Sequence, residues 1–221
     1  MKTFLNISNK KDSGLPQEFE TDDVRYTEEL VRHFLNKYTK EGDIVFDPFA
    51  GFGTTLVVAE KMNRIPFGIE YESKRGEYIR SKIKHKDNLI IGSALKTNSY
   101  SIPAIDFCFT SPPYMGHKHS ENPFSGYRKP GTYAQYLNDI KKIFSQIKKI
   151  MKKESFLGIE VSNLKNDGQV TTLAWDIANQ VSKIFHFEGE TIIEWKNDTN
   201  AEHAYGFGYD HSYVLMFKNV R

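Results

Sequence analysis

Cysteine occurs once in the chain, at Cys108. A single thiol can form neither an intramolecular disulfide nor a cysteine-rich metal site. It sits in the apolar run Ile105-Asp106-Phe107-Cys108-Phe109, where a small buried side chain is expected. That position also excludes chemistry needing an accessible thiol to attack a ring carbon, as base C5 methylation does. Long apolar runs are missing as well: mean hydropathy is -0.54, and no stretch is long enough to cross a bilayer. Met1 to Asp12 holds no apolar leader segment, so a cytoplasmic location is expected and no membrane association. An excess of one charge is lacking too. The 30 Lys and Arg against 28 Asp and Glu leave +2, which permits a polyanionic partner without demanding one. Repeats and low-complexity tracts are absent.

What is present is one α/β domain. At 221 residues the chain can bury a single full core, so residues 1–221 are read as one domain with 1–20 as a loosely ordered lead segment. A first helix is expected over Thr27 to Tyr38, where Leu30, Val31, Phe34, Leu35 and Tyr38 recur at helical spacing behind a Thr27 cap. Strands Asp43 to Phe46, Ile65 to Ile69, Asn88 to Ile91, Ile105 to Phe109 and Phe156 to Val161 alternate with helices Thr55 to Met62, Lys74 to Lys86, Tyr133 to Lys152 and Val170 to Ile184. Two adjacent strands, Glu190 to Trp195 and Tyr209 to Lys218, close the chain. The alternation predicts a doubly wound, mostly parallel sheet with an antiparallel C-terminal hairpin.

Two stretches carry chemistry. In Asp47-Pro48-Phe49-Ala50-Gly51-Phe52-Gly53-Thr54-Thr55, a strand runs through a glycine turn into a helix, which brings backbone N–H groups over the strand's carboxyl end. No Gly-Lys-Ser/Thr follows, so it is not a phosphate loop, and its Gly-x-Gly is too short for the dinucleotide fingerprint. Glu70, about twenty positions on and at the next strand's end, is placed to accept from ribose hydroxyls. In Thr110-Ser111-Pro112-Pro113-Tyr114 two prolines end the central strand, because neither can donate to a ladder. The stiff exit holds the Ser111 hydroxyl, the Ser111 and Pro112 carbonyls and the Tyr114 ring together. Acceptors beside an aromatic platform suit a planar base with an exocyclic amine, whose lone pair is released when the nitrogen pyramidalises.

Together the two stretches, in this order, resemble the amino-methyltransferases, the N4-cytosine and N6-adenine DNA methylase family, over residues from about Val24 onward. The resemblance implies a seven-stranded Rossmann-like methyltransferase sheet of order 3-2-1-4-5-7-6 and the cofactor S-adenosyl-L-methionine. It places Asp47, Pro48, Phe49, Gly51, Gly53, Thr54 and Thr110, with Tyr26 and Thr27, around the methionine end of that cofactor, Glu70 on the ribose and Ser93 by the adenine. Ser111, Pro112, Pro113 and Tyr114 become the catalytic residues. The family often has Ser where this chain has Phe52, and an acidic residue near Ser93. A serine before the prolines leans toward cytosine N4 in DNA, of the kind made in restriction-modification, with adenine N6 or a base amine in RNA as alternatives.

Reading of the substrate is assigned to loops, since the sizeable recognition segment of sequence-specific members is not found here. Met115 to Thr132 supplies Lys118, Arg128 and Lys129 for phosphates and Phe124 or Tyr127 for stacking on a base. Asn197 to Gly208, with His203, Tyr205 and Phe207, is a second such loop, and a partner subunit could supply the remainder. His117 and His119 have no third ligand in view, so no metal is expected. Two readings of other classes stay open: a non-catalytic cofactor- and nucleic-acid-binding module, and an enzyme acting on protein or small-molecule amines.

Overall fold

Strand residues of this chain bury both faces, and the period-two alternation shows it. Val45, Phe107, Phe109, Val214 and Met216 point to one side, while Phe46, Cys108, Leu215 and Phe217 point to the other. The computed structural model describes residues 3–166, 168–196 and 207–220, and at 21 and 22 the backbone alone. In chain order the elements are β1 (Phe4–Ser8), α1 (Glu28–Tyr38), β2 (Ile44–Asp47), α2 (Thr54–Lys61), β3 (Ile65–Glu70), α3 (Ser73–Lys82), β4 (Leu89–Ile91), β5 (Ile105–Thr110), α4 (Tyr133–Ile150), β6 (Met151–Val161), β7 (Leu164–Asn166), β8 (Gln169–Thr171), α5 (Leu173–Ser182), β9 (His186–Lys196) and β10 (His211–Lys218).

The main sheet has the order β1-β9-β10-β6-β5-β2-β3-β4. Every neighbouring pair is parallel except the two that β10 makes, with β6 and with β9. Leu30, Val31, Phe34 and Leu35 of α1 cover one face. Ile140, Ile143, Phe144 and Ile147 of α4, with Leu173, Ile177 and Val181 of α5, cover the other. The expected doubly wound architecture and its antiparallel closing pair are therefore both present. The sheet is eight-stranded rather than seven-stranded.

The extra strand corrects the reading of the lead segment. Phe4–Ser8 pairs in parallel with Ile192 to Lys196 on the outer edge, burying Leu5 and Ile7. A short 3-10 helix, Gln17–Asp22, follows, with Leu15 and Phe19 buried against Phe52 and the partly buried Tyr78. Residues 3–20 are thus a strand and a strap across the sheet's carboxyl edge. Thr27 caps α1 as expected, its hydroxyl accepting from the Leu30 N–H at 3.4 Å. A small hairpin, β7–β8, occupies the start of the region assigned to a helix at Val170. Most of the second candidate loop, including His203 and Tyr205, lies outside the described residues. No helix among the described residues is long and apolar enough to cross a membrane.

Candidate active site

Four neighbouring strands end side by side and deliver four polar groups to one edge: Glu160 from β6, Thr110 from β5, Asp47 from β2 and Glu70 from β3. All four are buried. Asp47 acts as a clasp. One of its oxygens accepts from the Thr110 hydroxyl at 2.5 Å and from the Phe49 N–H at 3.0 Å, and the other accepts from Tyr26 Oη at 3.3 Å. Tyr26 Oη also lies 2.5 Å from Thr55 Oγ1, which lies 3.5 Å from the Phe109 carbonyl. The glycine turn, β5 and the segment preceding α1 are thereby one hydrogen-bonded unit. Burial pushes the Asp47 carboxyl up to about 6, against the hydrogen bonds from Thr110, Phe49, Thr55 and Tyr26, which lower it.

Glu70 holds the turn from the other side. Its two oxygens accept from the Gly51 N–H at 2.7 Å and the Glu72 N–H at 2.8 Å, and burial pushes its carboxyl up to about 7. Gly51 has φ +56°, and a Cβ there would meet only the Phe49 carbonyl, at 3.8 Å, so it would project into open space above the turn. Gly53, at φ +81°, starts α2 in the left-handed region. A Cβ on Gly53 would come within 2.9 Å of Ile79, so glycine here also lets α3 pack closely. Pro48 and Thr54 are buried and Phe49 is partly so, its ring 5.7 Å from that of Phe124. Phe52, the departure from the family pattern, is a buried anchor: Phe19 lies 5.2 Å from its ring and the Arg75 guanidinium 4.8 Å over it. Ser93 caps the following 3-10 helix through the Leu95 N–H.

Beside this turn stands the proline motif, since β5 pairs directly with β2. Ser111 is half-buried, and no hydrogen bond engages its hydroxyl among the described residues. Tyr114 is anchored at its far end, where its Oη accepts from the Ser162 N–H at 2.9 Å and donates to Glu160 at 3.4 Å. The Phe207 ring lies 5.1 Å from it, and Tyr127 Oη donates to the Tyr114 carbonyl. Glu160 and Ser162 were not singled out from sequence. Their signal was a carboxylate inside the apolar run Leu157-Gly158-Ile159-Glu160-Val161, because such a group stays buried only with partners.

The loop after the proline motif divides. Phe124 is buried and stacks on Tyr136 at 5.3 Å, so it belongs to the core, and the expectation that it stacks on a base is corrected. Its aromatic character served packing under the loop. Tyr127 is 46% exposed. Lys118 and Lys129 are exposed, and Arg128 pairs with Glu72 at 2.8 Å. His117 packs on Tyr133, while His119 accepts from the Gly116 N–H. Cys108 is fully buried, and burial raises its thiol well above the ordinary range.

The DNA methylase family model matches residues 4–81 and 105–220. Among curated relatives, the orphan methyltransferase M.BamHII of Bacillus amyloliquefaciens is 30% identical over 80 residues, 36% of this chain and 29% of that one. The probable type III restriction-modification enzyme HindVI Mod subunit of Haemophilus influenzae is 56% identical over 43 residues, 20% of this chain and 6% of that one. The alignments thus span well under half of either relative. Among solved structures, TrmN from Thermus thermophilus matches 87% of this chain and 48% of its own, at 14% identity and a TM-score of 0.61, which shows the shared fold. With the family model covering most of its length, from the lead strand to the closing hairpin, this chain belongs to the N6/N4 DNA methylase family.

Proposed function

We propose that the chain transfers a methyl group from S-adenosyl-L-methionine to the exocyclic amine of a base in DNA, with cytosine N4 as the favoured target. The observation that carries this reading is the seating of Ser111-Pro112-Pro113-Tyr114 beside the glycine turn, with the Tyr114 ring pinned through its hydroxyl and its backbone carbonyl. Open space above Gly51 and the carboxylate beneath it suit the cofactor, because they offer close backbone approach and hydroxyl acceptors. The cofactor supplies an electrophilic methyl on a sulfonium. The protein's part is positioning. Tyr114 stacks on the extruded base, while the Ser111 hydroxyl and the Pro112 carbonyl accept the two amine hydrogens as the nitrogen turns tetrahedral. No strong base is required, since the amine becomes acidic as the new bond forms.

Ser111 supports cytosine over adenine N6, and Lys118, Arg128 and Lys129 on the loop after the motif support a polyanion over a protein or small-molecule amine. The deciding experiment is transfer from labelled cofactor to duplex DNA, single-stranded DNA and RNA, followed by nucleoside mass spectrometry. N4-methylcytosine is expected. N6-methyladenine would overturn the base assignment and keep the mechanism, and label confined to RNA would move the substrate class. Cofactor binding without label in any of them would favour a binding module or a missing partner subunit.

A further inference from the structure

The β7–β8 hairpin, which the family reading does not assign, lies against the proposed site. Its root is buried, Leu164 at 2% exposure and Thr171 at 7%. Thr171 Oγ1 accepts from the His117 N–H at 3.2 Å, a side chain at Gly116 would meet Leu164 at 3.4 Å, and the Lys165 N–H donates to the Phe207 carbonyl at 2.9 Å. Two of the elements flanking Tyr114 therefore hold the hairpin: the loop that follows the motif and the Phe207 segment. Register pairs Leu164 with Thr171, Lys165 with Val170 and Asn166 with Gln169. Alternation then puts the Asn166–Gln169 pair on the same face as the buried root, one step farther out. Both amides are exposed, and neither makes a side-chain hydrogen bond among the described residues.

We infer that this hairpin is the chain's base-reading ribbon, inserted in the major groove beside the extruded base. Two strands about 5 Å apart fit a groove about 12 Å wide, and Asn and Gln offer the paired donor and acceptor that match the edge of adenine. Lys165, on the opposite face, faces a phosphate. The Asn166 and Gln169 amides read the base pair next to the target. Asp167 is no part of the proposed site. The inference rests on the DNA reading above.

Its test is methylation of a duplex library with randomised bases flanking the target amine, read by sequencing of the methylated positions. Cofactor binding by calorimetry monitors the fold. In N166A/Q169A the preference among flanking bases should fall by about tenfold or more, the loss expected for a bidentate contact. Cofactor affinity should not change. Gln169→Glu, similar in size, should move the preferred base toward cytosine, a shift that a merely structural role would not produce. Lys165→Ala should slow all sequences alike and flatten the salt dependence by about one phosphate contact. Unchanged preference in both amide variants, or no preference in the unsubstituted chain, would overturn the hairpin alone. An unsubstituted chain that binds cofactor and methylates no DNA would overturn both readings.

Discussion

Tyr114 is held by its hydroxyl and by its carbonyl, which separates two roles that a single substitution would merge. Tyr114→Phe keeps the ring and loses the anchor on Ser162, so kcat should drop modestly, by about fivefold, the worth of one net hydrogen bond. Tyr114→Ala removes the stacking surface and should cost about 10- to 100-fold. Single-turnover rates distinguish the two, and equal losses in both would mean that the ring is not a platform. The carboxyls add a pH signature. Asp47 is pushed up to about 6 and Glu70 up to about 7 by burial, whereas in the unfolded chain both return to about 4. Between those values the folded chain keeps protons that the unfolded chain has released. Stability therefore falls as pH rises through this window, by up to about 3 kcal/mol for each group once both have ionised. A cationic cofactor favours the ionised forms. Its affinity should rise from pH 5.5 to 8 with release of protons, measurable by calorimetry in buffers of different ionisation enthalpy. Glu70→Gln should bind more weakly and with a flatter pH profile, and an unchanged profile would remove Glu70 from the linkage.

At the scale of elements, the strap ties the lead segment to the glycine turn. Phe19→Ala opens the cluster around Phe52 and should cost about 3 kcal/mol in urea unfolding, the low end for a buried Phe because the cluster is small. Cofactor affinity should fall as well, because Phe52 stands between Gly51 and Gly53. Unchanged affinity in a folded Phe19→Ala protein would make the strap purely structural. Helix α1 and its cap, the glycine turn and the proline exit were legible because each follows from local periodicity or from backbone chemistry within a few residues. β1 was not: Leu5 and Ile7 alternate over five residues only, and what makes them a strand is β9, almost the whole chain away. The β7–β8 hairpin carried the turn letters Asp167-Gly168, a usual hairpin signal, but its strands are too short to display a period. Phe124 looked like a stacking residue because composition cannot tell a loop's underside from its surface.

For the whole molecule, the arrangement brings glycine turn, proline motif and hairpin to one edge, with Lys118, Arg128 and Lys129 near them. If two or three phosphates are contacted there, kcat/KM on duplex DNA should fall about 10- to 40-fold between 50 and 200 mM salt. An enzyme of protein or small-molecule amines would show almost no such slope. The sheet order has a consequence for how the chain is made. β10 follows every other described strand in sequence, yet it lies inside the sheet, between β6 and β9, and among the described residues β1 reaches the sheet only through β9. A chain leaving the ribosome can assemble β2 to β6 early, but Phe4–Ser8 must wait with Leu5 and Ile7 uncovered until Ile192 to Lys196 have been made and β10 has joined them to the rest. Synthesis therefore leaves Phe4–Ser8 an unpaired edge until β9 has emerged, and a stall before β9 would release a nascent chain ready to pair with the wrong partner.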